Sequence, residues 1–245
     1  MADFKKKFKF YAAYVWQLFK DSLPSGIMYV CAGSILMMVT LKMDEGSFHF
    51  KNGAVAWMVI CTVIAMAYNA LMSWANGGQQ YEMLASGNVR RATEAMYGEG
   101  YKISRYKENK EYRLWKGFVV GAWMALVPLI VGIVLGANQT AVDARLAEDK
   151  IGSMELLGIM FSGWSVLPVY YANAAGSNIS YFVTCLFALV PIVTTAVFYT
   201  SGAYARRNKA IRQQQIADRQ AEIAANRQKK INYGGLPGTK PKKRK

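Results

Sequence analysis

Charge is what this sequence withholds. Ser22–Leu41, Asn52–Tyr81, Gly117–Val142 and Leu156–Ala205 contain no Asp, Glu, Lys or Arg over 20, 30, 26 and 50 residues. A soluble domain of 245 residues interrupts its apolar runs with charge far more often, and a disordered chain is far more polar. Both are excluded as descriptions of the whole chain. About 20 mainly apolar residues cross a bilayer core, so the pattern is that of a multi-pass membrane protein.

Histidine and cysteine are nearly as scarce. With His49 as the single histidine, no multi-histidine metal site and no intramembrane Cys–His array can be assembled. Cys31, Cys61 and Cys185 fall in three different apolar stretches, without a CxxC, which excludes a disulfide scaffold. The chain has no GxxxxGK[ST], no GxGxxG and no HExxH, hence no phosphate-cradling loop or zinc-protease helix. No cofactor is expected. The opening stretch carries Lys5, Lys6, Lys7, Lys9 and Lys20 and lacks a clean apolar core, so the first span is expected to remain as a signal anchor.

The apolar stretches predict four helices, at Gly26–Leu41, Ala54–Ala75, Gly117–Ala137 and Ser180–Tyr204. Continuous apolar runs fit helices, whose backbone groups pair internally, and not barrel strands that alternate every second residue. The fold class is therefore all-α: a polytopic protein with four transmembrane helices. Lys and Arg set the orientation. The segments 1–24, 76–116 and 205–245 together hold 26 of them, against 4 in 42–53 and 138–179. Both termini and the middle loop are thus expected in the cytoplasm, with the protein in the cytoplasmic membrane, or in the endoplasmic reticulum if the source is eukaryotic. A fifth span at Met154–Tyr171 would carry the basic tail outside. That segment, softened by Gly158, Gly163 and Pro168, is instead read as an apolar outer segment, re-entrant or interfacial.

Three parts follow: a cytoplasmic amphipathic segment 1–24, a transmembrane domain 25–204, and a cytoplasmic basic tail 205–245, helical and then disordered. Phe8, Tyr11, Val15, Leu18 and Phe19 recur at helical spacing between lysines, as in an interfacial helix on an anionic leaflet. Asp21-Ser22-Leu23-Pro24 is expected to break it before the first span. Asn76-Gly77-Gly78 reads as the end of the second helix, and short helices are expected around Gly98–Gly100. Pro128 and Pro191 each predict a kink.

Candidate sites are of two kinds. For helix packing, Gly117, Gly121, Ala125, Gly132 and Gly136 share one face, and Asn69 needs a partner helix because an unpaired amide is costly in lipid. For anionic lipid, Lys5, Lys6, Lys7, Lys9, Lys240, Lys242, Lys243, Arg244 and Lys245 are each worth about 1 kcal/mol near a charged surface. The expected partners are a bilayer with an anionic inner leaflet and other membrane subunits or a second copy; nucleic acid is not favoured. The functional expectation is a non-enzymatic scaffold or accessory subunit, with a channel or facilitator for a small neutral solute as the alternative. A lipid-handling enzyme would have to draw its acid or base from Asp44, Glu45, His49 or Glu155.

Overall fold

The four charge-poor stretches become four helices long and apolar enough to cross a membrane, within Tyr11–Thr40, Ala54–Ser86, Trp115–Ala137 and Tyr181–Arg227. The computed structural model describes residues 2–44, 47–87 and 111–232. Met1–Ala203 forms one compact unit and Tyr204–Lys245 another.

Helix α1 covers Ala2–Thr40 without interruption, Pro24 included. The expected break at Asp21–Pro24 does not occur. Proline removes one backbone donor and presses on the preceding turn, but a long packed helix can absorb that loss where neighbouring hydroxyls and helices compensate. The acceptor that Pro24 leaves is the Lys20 carbonyl, while Ser22 Oγ donates to the adjoining Phe19 carbonyl at 2.7 Å. The interfacial segment and the first span are therefore one rod, with Phe8, Tyr11, Val15 and Trp16 exposed and Tyr14 and Leu18 buried.

A hairpin unforeseen in the sequence follows. Strands β1 (Leu41–Asp44) and β2 (Ser47–Phe50) pair antiparallel, with Leu41 opposite Phe50 and Met43 opposite Phe48. Helix α2 (Ala54–Ser86) then runs back and passes straight through Asn76-Gly77-Gly78, where the sequence suggested a helix end. The glycines serve approach, not termination. A side chain at Gly77 would enter the backbone of Tyr199, and one at Gly202 would enter that of Trp74, so these two helices cross almost backbone to backbone. The helices expected around Gly98–Gly100 lie outside the described residues.

Helix α3 (Trp115–Ala137) is continuous through Pro128 and is followed by the short α4 (Gln139–Ala147). Helix α5 (Ser153–Ala174) is the apolar segment between the third and fourth spans. A straight helix of 22 residues would separate its ends by about 33 Å. Instead both ends meet Phe48 of the hairpin. The Phe48 N–H donates to the carbonyl of Asp149, just before α5, at 2.8 Å, and its ring lies 5.7 Å from that of Tyr170, near the helix's end. The reversal is at Ser162, whose φ of −142° and ψ of 35° are not helical. Helix α5 is thus re-entrant with respect to the bundle: it enters from the hairpin end, turns, and leaves by the same end.

A 3-10 turn (Tyr181–Val183), the short α6 (Thr184–Phe187) and α7 (Leu189–Asn232) complete the chain. The break between α6 and α7 lies at Ala188, because Pro191 cannot donate to the Phe187 carbonyl and its ring crowds that group. The core centres on Leu36, Ile159, Val166 and Leu167, all fully buried between α1 and the re-entrant helix.

Candidate functional site: a buried polar tract

The glycine face of α3 is filled from within the chain. A methyl group at Gly121 would lie 2.6 Å from Ile192 Cα, and one at Gly117 would lie 3.1 Å from Ala196 Cα. Gly132 abuts Thr184 and Cys185, Gly136 lies under the Phe182 ring, and Ala125 between them is fully buried. The small residues let the last span approach, which is the physical use of this spacing in lipid. They are occupied along their whole length and offer no seam to a second molecule.

Asn69 is fully buried on α2. Its Nδ2 donates to Thr195 Oγ1 at 3.1 Å, and Ser73 Oγ donates to its Oδ1 at 3.2 Å. Toward the opposite end from the hairpin, Gln80 Oε1 accepts from the Tyr199 hydroxyl at 2.6 Å and from Lys116 Nζ at 3.3 Å. Lys116 Nζ also donates to the Glu111 carbonyl at 2.7 Å. Tyr112 seals this end by stacking on Tyr199 at 5.2 Å, while its N–H donates to the Gln80 carbonyl. Between these groups lies a cavity of about 10 Å³ bordered by Asp21, Ser25, Asn76 and Lys116, which is room for about one water.

Lys116 is the costly member. It is only 2% exposed, and it sits in the first turn of α3, where the helix dipole disfavours a cation. The Glu111 carbonyl, Gln80 and the field of the Asp21 carboxylate compensate it. Its burial corrects one sequence-based inference. Spans defined by the absence of charge cannot contain charge; the real helices are longer and bring Asp21 and Lys116 inside.

The tract stops at Tyr29. Its hydroxyl lies beside Asn69 without closing a hydrogen bond, and its ring packs on Trp164 at 4.9 Å, just past the turn of α5. Around and past Trp164 the interior holds the buried hydroxyls of Ser162, Ser165 and Thr184, bonded within their own stretches of chain, before a second polar cluster at the hairpin end. There Arg145 Nε donates to Glu155 Oε1 at 2.7 Å, and Nη2 adds a second bond to the same oxygen. Glu155 is fully buried, so it pins α5 to α4 and is not available as an exposed acid.

His49 is exposed on β2, and the three cysteines are free thiols. No group of three or more His, Cys, Asp or Glu able to hold a metal occurs among the described residues. Lys5, Lys6, Lys7 and Lys9 lie on the first turns of α1, but their side chains are outside the described part. Lys240, Lys242, Lys243, Arg244 and Lys245 lie outside the described residues altogether. Of the tract's hydrogen-bonding residues the sequence singled out Asn69; Gln80 lies past the predicted helix end at Ala75 and Lys116 just before the predicted start at Gly117, so the length of α2 and the start of α3 bring them in. The chain matches no protein-family model, no curated protein and no solved structure.

Proposed function

We propose that this membrane protein is a scaffold or accessory subunit without enzymatic activity, set in the cytoplasmic membrane with both termini and its basic segments in the cytoplasm. The observation that carries the reading is α7. In the second unit, its residues 207–227 are all exposed. A helix exposed on every side, with Ile211, Ile216 and Ile223 among its exposed residues, finds no packing of its own and gains stability when a partner covers it. Arg207, Arg212, Arg219 and Arg227 give that stretch the charge to meet an acidic partner subunit or an anionic leaflet.

The test is purification of the full chain in a gentle detergent followed by mass spectrometry. A fixed-stoichiometry membrane partner is expected, and the double variant Arg212→Glu, Arg219→Glu is expected to lose it while the bundle stays folded. A monodisperse, partnerless protein would refute the reading.

The polar tract favours a second reading, a facilitator for a small neutral solute. Its groups reach from Lys116 to Asn69, and Tyr29 beside Asn69 packs on Trp164 of the re-entrant helix. Solute flux into proteoliposomes, abolished by Asn69→Leu, would establish this reading in place of the scaffold.

A further inference from the structure

Between α1, α3 and the turn of α5 lies an apolar cavity of about 250 Å³ that no described residue fills. Its walls include Phe19, Leu23, Gly26, Trp123, Val127 and Phe161. Leu23 and Phe161 are also exposed on the outside of the bundle, so the cavity opens sideways, toward the surface that meets lipid. We propose that this groove is a binding site for one anionic glycerophospholipid, with an acyl chain in the groove and the phosphate at Lys20.

The shape fits a chain and not a compact ligand. Along α1 the lining runs from Phe19 to Val30, about 16 Å at helical rise, and its surface is almost wholly apolar. Gly26 keeps it open: a methyl group there would meet a single atom, Met124 Cγ at 3.9 Å, so the missing side chain leaves space and relieves no clash. This distinguishes Gly26 from the packing glycines of α3, whose added atoms would strike helices.

The headgroup end is marked by aromatics and one cation. Phe19 meets Trp123 edge-on at 5.5 Å and stacks on Trp16 at 5.3 Å, and Lys20 Nζ lies 5.6 Å from the Trp16 ring centroid. Indole rings favour the headgroup level of a bilayer, and a lysine there attracts phosphate. The neighbouring carboxylate does not oppose it, since Asp21 borders the polar cavity with Lys116 on the other side of α1. Charge therefore selects an anionic headgroup over a zwitterionic one.

The experiment is native mass spectrometry of the full chain from nanodiscs of equal phosphatidylglycerol and phosphatidylcholine. One retained phosphatidylglycerol per chain is expected. Gly26→Phe fills the groove from α1 and Val127→Phe fills it from α3; each is expected to lower retention at least tenfold. Lys20→Gln, on the exposed surface, is expected to keep a bound lipid but erase the preference between headgroups. Retention unchanged in the folded groove variants would overturn the site. Were both groove variants to misfold, the Lys20→Gln result would decide, and an unaltered preference would overturn the proposal. A second copy of the chain retained instead of lipid would overturn it as well.

Discussion

Helices α2 and α5 are both apolar, yet they meet opposite surroundings. On α2 a single stripe is buried, including Met58, Cys61, Ala65 and Asn69, while Val55, Val59, Val63 and Leu71 are exposed. On α5 the reverse holds past the first turns: Ile159, Trp164, Val166, Leu167 and Tyr170 are all buried. Apolar character does not tell them apart: α2 turns much of it outward and α5 turns it inward. In a bilayer the lipid rewards apolar surface, whereas contact between helices rewards small residues and paired hydroxyls. Helix α5 accordingly carries Gly158, Gly163, Ser162 and Ser165, and Gly163 packs directly on Gly33 of α1.

The comparison can be broken most forcefully at the joint that holds α5. Arg145→Leu leaves the buried Glu155 carboxylate without its partner. Because Arg145 is 38% exposed, the expected loss is at the low end for a buried pair, about 3 kcal/mol. Reversible unfolding in mild detergent would measure it, and adding Glu155→Leu should recover most of the loss by removing the stranded charge.

Next in size is Gly77→Ala on α2, which sets a methyl group into the Tyr199 backbone. Overpacking of this kind costs about 2 kcal/mol, read in the same unfolding assay. Asn69→Leu should cost about 1 kcal/mol, the usual worth of an interhelical hydrogen bond in a membrane, because Ser73 and Thr195 can turn to their own backbones. At the small end, Val63→Ala on the exposed face of α2 should change stability by less than about 0.5 kcal/mol. A Val63→Ala loss as large as that of Gly77→Ala would show that this face is packed against protein.

Much of this contrast was legible in the sequence and some was not. The absence of charge locates four spans because lipid excludes charge whatever the packing. It misplaces their ends: Lys116 lies just outside a charge-free core, and its partner Gln80, 36 residues away in the chain, lies past the predicted end of the second helix at Ala75. Gly77 looked like a terminator because glycine both ends helices and lets them touch, and only the neighbouring Tyr199 backbone tells the two apart. Pro24 misled in the same direction, since the helix it interrupts chemically is held by its neighbours. Gly158, Gly163 and Pro168 did suggest that 154–171 is no simple span, but the turn at Ser162 has no sequence signature of its own. The hairpin at 41–50 was hidden because its strands are only four residues each.

The central claim is that the chain crosses four times and that α5 returns to the end from which it entered. Single cysteines at Ser153, Ser177 and Arg207, placed in a background lacking Cys31, Cys61 and Cys185 and probed with an impermeant maleimide in oriented vesicles, test it directly. Ser153→Cys and Ser177→Cys are expected to label from one side and Arg207→Cys from the other. Labelling of positions 153 and 177 from opposite sides would make α5 a fifth span and contradict the account.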